Sequence, residues 1–489
     1  MTSSETSLAK QVIGGTGVIT VAGVAARLLA LLTVPILTRL LGPAAYGVAA
    51  LVGTVIALAS VLALLGIDMA YARFYLQEKE SQRAAVERFC WRFAASGAIV
   101  VALLTAGGWY WLGGRWLDDH HSIAAYSVLA IGLSVAVAMT TTRIRLLGNY
   151  RRIAAALFLA SVVSAIVSIG LVFLWRTDVW VLLFGAIAAS ITTLLVLGLP
   201  SRSFFKPSHL PRNTKRAVVS LGVAGSITAP MYWVISSSDR WFLSYYMDAG
   251  EVGVYSVAAT VAMLGLMLNS SLTLTWFPEA SRLYGEQGAE SLPSLGRMWT
   301  RLVTGLAIVW LAVAAAGGDV LRILAAPAFH PGAQYIPWLA GGVFFYGLAS
   351  LANTALFLTA KMRFAAYMWS AGALLSACLY LVLIPYLGAL GAAISQCISF
   401  SLTALGVLAV SHRLLPLPVP VFRLTIALAI TVGAGVVMAP EWAGQPVWSL
   451  VLKFPVGLLV AGIVFVVIAP DWCRRTFAGL RRVFVSAKA

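Results

Sequence analysis

The sequence predicts an all-α polytopic membrane protein of about fourteen transmembrane helices. Three observations predict it. The chain of 489 residues is 61% hydrophobic and only 10% charged, with a mean hydropathy of +0.91. Apolar runs of about 18 residues or more, each long enough to cross a bilayer core, follow one another almost without pause. The short alternating segments of a membrane β-barrel are not evident.

Taken in order, the expected spans centre on 12–41, 44–75, 89–112, 122–147, 153–175, 180–199, 217–246, 252–277, 300–317, 336–359, 365–385, 388–411, 422–439 and 448–469. The turn Leu41-Gly42-Pro43 separates the first two. Pro35 and Pro230 lie inside the first and seventh spans, where proline removes a backbone donor and kinks a helix. The segment 200–216, with Pro200, Pro207, Pro211 and five basic residues, reads as an inner linker or as a basic loop beside anionic lipid. The longest outer loop is expected at about 318–335, with Pro327 and Pro331.

The lysines and arginines give the orientation. With the N-terminus inside, 26 of the 34 fall in inner loops and four (Arg39, Arg115, Arg176, Arg322) outside, while Arg27, Arg73, Arg240 and Lys453 fall in or beside spans. Inner loops carry the basic excess in membrane proteins, so both termini are expected to be cytoplasmic. The net charge of +17 follows largely from those loops. No basic helix or aromatic-basic module stands free of the membrane, so nucleic-acid binding is not expected. Asp118, Asp119, Asp178, Asp248, Glu251, Asp319 and Glu441 fall in outer loops on this reading.

The two halves echo one another. Ala45-Tyr46-Gly47-Val48 has a counterpart in Glu251-Val252-Gly253-Val254, Arg73-Phe74-Tyr75 in Arg282-Leu283-Tyr284, and Arg152-Ile153-Ala154 in Arg363-Phe364-Ala365, at offsets of 206, 209 and 211 residues. Six helices per repeat restore the starting orientation, so the repeats are parallel. The expected division is 1–216, an N-terminal lobe of helices one to six; 217–415, a C-terminal lobe of helices seven to twelve; and 416–489, helices thirteen and fourteen with a cytoplasmic tail.

Enzyme and metal motifs are nearly absent. There is no GxxxxGK[ST] loop for a nucleotide and no Asp-x-Asp pair. Gly14-Gly15 and Gly17 follow no strand. The four cysteines (Cys90, Cys378, Cys397, Cys473) lack metal-ligand spacing and read as free thiols. His120-His121 reads as a solvated loop pair.

The residues that invite a functional reading are charges stranded in hydrocarbon. A charge at the centre of a membrane helix costs about 2.5–3.5 kcal/mol on insertion scales, and so faces a wet cavity or a partner. Arg27 lies about 22 Å from either end of the first span, counting roughly 1.5 Å per residue. It either pairs with Asp68 on the second helix or lines a polar chamber. Arg73, near the end of the second helix, either lines the chamber or snorkels. Asp239 and Arg240 are adjacent on the seventh helix and point about 100° apart if the helix is regular, so each is expected to need another partner. Lys453, on the fourteenth, either snorkels or borders a lipid path. Trp233 and Trp276 are candidate cavity linings, whereas Tyr245 and Tyr246 read as an interfacial belt.

A family resemblance now comes into view. Ile36-Leu37-Thr38-Arg39-Leu40-Leu41-Gly42-Pro43-Ala44-Ala45-Tyr46-Gly47 resembles the opening motif of the polysaccharide-transporter family. Asp68-Met69-Ala70-Tyr71-Ala72-Arg73-Phe74-Tyr75 resembles its helix-two ending. Ser238-Asp239-Arg240-Trp241-Phe242-Leu243 with Glu251-Val252-Gly253-Val254-Tyr255 resembles its helix seven–eight junction. The likeness points to Wzx-type O-antigen flippases, within the superfamily that also holds lipid II flippases and multidrug exporters.

The resemblance implies a non-enzymatic flippase of the bacterial inner membrane, without cofactor or metal, moving undecaprenyl-pyrophosphate-linked oligosaccharide through the bilayer. It implies two six-helix lobes around a cationic cavity, with two extra C-terminal helices. By matching positions, Arg27, Arg73 and Arg240 would attract the pyrophosphate, and Asp68 and Asp239 would orient arginines or relay an ion. The chain would act as a monomer, with polysaccharide polymerase and chain-length proteins as partners. A multidrug exporter of the same superfamily and a membrane glycan polymerase are the competing functions. The first favours an acidic cavity, and the second a large outer loop or a metal-nucleotide motif.

Overall fold

A computed structural model describes residues 3–77, 80–115, 120–175, 178–198, 210–226, 228–359 and 361–468. Among these residues there are helices and turns and no strand. Thirteen helical stretches are long and apolar enough to cross a membrane. One of them, Arg363–Leu414, has 52 residues, about 78 Å if straight and so twice the depth of a bilayer. At its middle Gly388 has φ 57° and ψ −138°, a conformation open to glycine and closed to a helix. A β-carbon on Gly391 would lie 2.4 Å from the Leu383 carbonyl oxygen, so the chain folds back on itself there. That stretch therefore holds the expected eleventh and twelfth spans, and the total returns to fourteen.

The helices in chain order are α1 (Ser3–Leu40), α2 (Pro43–Leu64), α3 (Ile67–Gln77), α4 (Glu80–Leu112), α5 (His120–Leu146), α6 (Tyr150–Leu174), α7 (Val179–Leu197), α8 (Arg212–Ser226), α9 (Thr228–Ser237), α10 (Asp239–Tyr246), α11 (Ala249–Ala262), α12 (Leu264–Gln287), α13 (Leu292–Leu324), α14 (Ile336–Leu358), α15 (Arg363–Leu414), α16 (Val421–Met438) and α17 (Pro446–Ile468). Their ends follow capping chemistry. Pro43 opens α2 at a position that needs no amide donor. Asn149 and Asp178 cap α6 and α7 by accepting from the amides of Arg152 and Trp180.

The second span is broken within its length. Leu65 and Gly66 take positive φ of 44° and 67°, dividing α2 from α3. The seventh span comprises α8, α9 and α10. The expected linker 200–216 lies for the most part outside the described residues. One expectation is corrected. Residues 318–324 are the last turns of α13, and 327–335 form a 3-10 helix, so most of the expected outer loop is helical. The apolar run of the ninth span continues through Gly317, where a β-carbon would lie 2.6 Å from Ile336 Cγ2, and through Gly318, and Asp319 inside it has a partner described below.

The chain separates into two compact units. Unit 1 comprises Met1–Val257, Leu324–Phe329 and Gly372–Ala392; unit 2 comprises Ala258–Ile323, His330–Ala371 and Ala393–Ala489. In unit 1 one core gathers Ala63, Ile67, Ala70 and Tyr71 with Val86, Cys90, Trp91 and Ala94 of α4, Met139 of α5 and Val218 of α8. A second joins α2, α4, α5 and α7 through Val52, Trp109, Ile123, Tyr126 and Leu183. In unit 2 Leu311 and Ala315 of α13 pack with Met438 of α16, and Ala427 of α16 packs with Val464 and Ile468 of α17.

Small residues set the closest approaches, as in many membrane bundles. In unit 1 a β-carbon on Gly47 would lie 1.7 Å from the Ala249 carbonyl oxygen, and one on Gly253 would lie 1.9 Å from the Pro43 carbonyl oxygen. The two glycines are the counterparts noted in the repeat, and their helices meet at each other's backbone.

Candidate functional site

In unit 1 the charged side chains separate into open and sealed groups. Arg27 on α1 is exposed, as is Arg73 on α3, and Asp68 is half-buried. No ion pair joins Arg27 to Asp68 or to another acid among the described residues. A guanidinium within the apolar stretch Val21–Leu40 is costly to insert unless it meets water or a partner. Arg73 differs from its repeat counterpart in the same respect. In unit 2, Arg282 is neutralised by Glu279 at 2.6 Å and Glu286 at 3.1 Å; among the described residues Arg73 has no such pair.

Asp239 and Arg240 form the sealed group, 1% and 8% exposed. They pair with each other, contrary to the expectation for a regular helix: Arg240 Nη1 lies 3.3 Å from Asp239 Oδ1. The reason is the break between α9 and α10 at Ser238. A break releases backbone groups that a helix would pair, and inside a bilayer each needs a new partner. The Ile235 carbonyl accepts from the Tyr380 hydroxyl. The Ser236 carbonyl accepts from Arg240 Nη1 at 3.2 Å. The Arg240 amide donates to Asp239 Oδ1 at 2.8 Å. The Tyr255 hydroxyl donates to Asp239 Oδ2, Arg240 Nε donates to Ser256 Oγ at 3.2 Å, and the guanidinium lies 5.7 Å from the Tyr255 ring centre. Tyr255, Ser256 and Tyr380 were not singled out from sequence. A cation and an acid side by side at depth were the only signal, and their partners come from elements 16 and about 140 residues away.

Trp233 is half-buried and donates its indole N–H to the Thr54 carbonyl at 2.9 Å. Trp241 donates to the Thr54 hydroxyl at 3.0 Å and packs on Trp109. Both tryptophans tie α9 and α10 to α2. In unit 2 Trp276 is 2% exposed and donates to the Leu351 carbonyl at 3.1 Å. Its ring borders a cavity of about 70 Å³ with Trp299, Thr354 and His412.

Unit 2 holds a second sealed pair that corrects two expectations. Asp319, expected in a loop, is wholly buried in α13, and Lys453, expected to snorkel or meet lipid, is 2% exposed in α17. Lys453 Nζ lies 2.6 Å from Asp319 Oδ2 and donates to the Ala315 carbonyl at 3.1 Å. Ser449 donates to the same carboxylate at 3.1 Å. Arg322 stands 3.7 Å from Asp319 and from Glu441. Among the described residues no group of three or more His, Cys, Asp or Glu is placed to hold a metal ion.

The broken, stitched helices and the paired repeats define the fold's relatives. The sequence profile of a family described as polysaccharide biosynthesis protein matches residues 12–284. The chain belongs to that family. Solved structures share the chain's fold at low identity. A lipid II flippase MurJ in an inward closed conformation matches the chain with TM-score 0.70 and 13% identity, over 93% of this chain and 99% of that one. An inward-facing multidrug resistance MATE family transporter matches with TM-score 0.57 and 14% identity, over 79% and 94%. A MOP superfamily transporter from Pyrococcus furiosus matches with TM-score 0.56 and 15% identity, over 85% and 96%. No curated protein sequence matches the chain. The fold expected of the polysaccharide-transporter family, all-α and polytopic, is the fold found.

Proposed function

We propose that this family member is a flippase for a polyprenyl-diphosphate-linked oligosaccharide, the undecaprenyl-linked repeat unit of a surface polysaccharide. It carries the headgroup from the cytoplasmic to the outer leaflet of the inner membrane while the lipid tail stays in the bilayer. The observation that carries the reading is Arg27: an exposed cation within an apolar span, with no ion-pair partner among the described residues. Arg73 supplies a second open cation near the basic end of its helix. A diphosphate diester presents two negative charges, and guanidinium groups bind phosphate through charge-assisted hydrogen bonds.

On this reading the residues divide the work. Arg27 and Arg73 receive the diphosphate, with Asp68 orienting the guanidinium nearest it. Arg240 acts from within its network, holding the seventh span at its break beside Asp239, Tyr255 and Tyr380. Trp233 and Trp276 shape the walls of their own units through their indole hydrogen bonds. Alternating access between the expected lobes 1–216 and 217–415 moves the cargo, with 416–489 outside the repeat. With both termini cytoplasmic, an inside-negative potential favours outward movement of two negative charges by about 4–5 kcal/mol at roughly 100 mV.

The test is depletion of the protein in its host, followed by extraction of lipid-linked glycans. Accumulation of a polyprenyl-diphosphate oligosaccharide on the cytoplasmic leaflet supports the flippase. Unchanged lipid-linked glycans together with raised sensitivity to cationic drugs would favour a multidrug exporter.

A further inference from the structure

The cavity beside Trp276 lies where four membrane spans of unit 2 end. Trp276 of α12, Trp299 of α13, Thr354 of α14 and His412 of α15 all border it. The expected eighth and tenth spans finish at 277 and 359, the ninth begins at 300, and the twelfth finishes at 411. Whichever leaflet this is, the cavity sits at the border between hydrocarbon and headgroups, the layer that holds the ester groups of phospholipids.

Two polar groups of the wall are committed. Trp276 donates to the Leu351 carbonyl at 3.1 Å, and Ser411 donates to the Ala352 carbonyl at 2.9 Å. Two others are open. Trp299 is 7% exposed and Thr354 is 4% exposed, yet neither the indole N–H nor the hydroxyl makes a hydrogen bond among the described residues. Burying a donor without an acceptor is costly. Apart from these four residues and His412, the wall is leucine, alanine and valine. The volume is about 70 Å³, the liquid share of two waters at roughly 30 Å³ each. Each buried water needs two to four polar partners, and this wall offers too few for both.

The roof is the strap 415–420, which joins α15 to α16. Leu415, Leu417 and Val419 border the cavity, whereas Pro416, Pro418 and Pro420 between them are exposed. Alternate residues of an extended chain face opposite ways. A β-carbon on Gly296 would lie 2.5 Å from the Pro418 carbonyl oxygen, so the strap is laid directly on α13. Proline has no amide donor, so few main-chain bonds resist a hydrocarbon chain entering beneath. His412, exposed where it borders the cavity, stands at the mouth. Leu402, Leu405 and Ala409 are exposed on the same helix, and steps of three and four residues put them on one face with His412. An apolar track therefore runs along α15 to the mouth.

We infer that this cavity receives an acyl ester of a membrane phospholipid. The ester supplies what the wall lacks, an acceptor beside a short apolar run. Its carbonyl oxygen meets the open donors of Trp299 and Thr354, the adjoining methylenes lie against the leucines, and the rest of the chain leaves along the exposed face of α15. The headgroup stays outside. Nothing in the site depends on Arg27 or on transport.

The test offers the full chain in detergent an equimolar mixture of two phosphatidylcholines, one with ester-linked and one with ether-linked oleyl chains. The ether lipid has the same headgroup and no carbonyl. Native mass spectrometry reads which lipid each chain retains. The wild type is expected to favour the ester lipid by at least about fivefold, the worth of one neutral hydrogen bond. Trp299→Phe with Thr354→Val keeps an apolar wall and removes both donors, and its ratio is expected to fall to about one. Ala355→Leu, which fills the space, is expected to lose the preference as well. A wild-type ratio near one, no retained lipid, or an unchanged preference in the double variant overturns the site. The first two outcomes need no variant, so a substitution that fails to fold leaves the proposal refutable.

Discussion

Gly47 and Gly253 meet backbone to backbone: each would place a β-carbon 3.0 Å from the other's amide nitrogen and under 2 Å from a carbonyl oxygen of the other's helix. The atoms in the way are main-chain atoms, which have no rotamer to change. Gly47→Ala and Gly253→Ala are each expected to destabilise by at least about 3 kcal/mol, the upper end of overpacking costs. Thermal unfolding in detergent and the monodisperse yield check this. A variant melting within a degree of the parent would show that α2 and α11 separate freely.

The network at the break of the seventh span gives a graded series. Tyr380→Phe leaves the Ile235 carbonyl without its donor and is expected to cost about 1–3 kcal/mol. Arg240→Gln leaves Asp239 buried beside a neutral group and is expected to cost about 3–5 kcal/mol. The order of midpoints, wild type above Tyr380→Phe above Arg240→Gln, is the measurement. The reverse order would mean that the carboxylate is not held by the guanidinium.

Arg27 behaves oppositely if it serves cargo. Arg27→Gln is expected to leave the amount and midpoint of folded protein unchanged, because no ion pair among the described residues depends on the charge. Flipping of lipid-linked glycan in reconstituted vesicles is expected to fall by at least about tenfold, the loss of one charged hydrogen bond to phosphate. Flipping at the wild-type rate would remove Arg27 from the site.

Lys453 and Asp319 are suited to a double-mutant cycle. Lys453→Met alone strands the carboxylate and is expected to cost about 3–5 kcal/mol, whereas Lys453→Met with Asp319→Leu is expected to recover most of it. Additive losses across the cycle would argue that the two groups are not coupled.

The spans were readable because hydropathy over twenty residues outweighs any local preference. The breaks were harder to see. Leu65-Gly66 sits inside a continuous apolar run, and only the left-handed backbone there reveals two helices. Asp319 looked like a residue of the outer loop expected at about 318–335, whereas α13 runs on to Leu324. Its partner lies in another helix far along the chain, and hydropathy carries no record of such pairing. For the site, the identity of the stranded charges was legible, but which were sealed was not. That depends on Tyr255 and Tyr380, whose hydroxyls look like ordinary apolar-span residues until the chain is folded.

The Asp319 carboxylate is synthesised 134 residues before the ammonium that neutralises it. Until α17 arrives, the nascent protein carries an acid in a helix that must enter oil, and afterwards the acid disappears from view. A polypeptide interrupted anywhere between these two positions lacks that ammonium. Before α17 is made, Arg322, 3.7 Å away on the same helix, is the cation beside that carboxylate, so α17 supplies the contact that closes the charge balance inside unit 2.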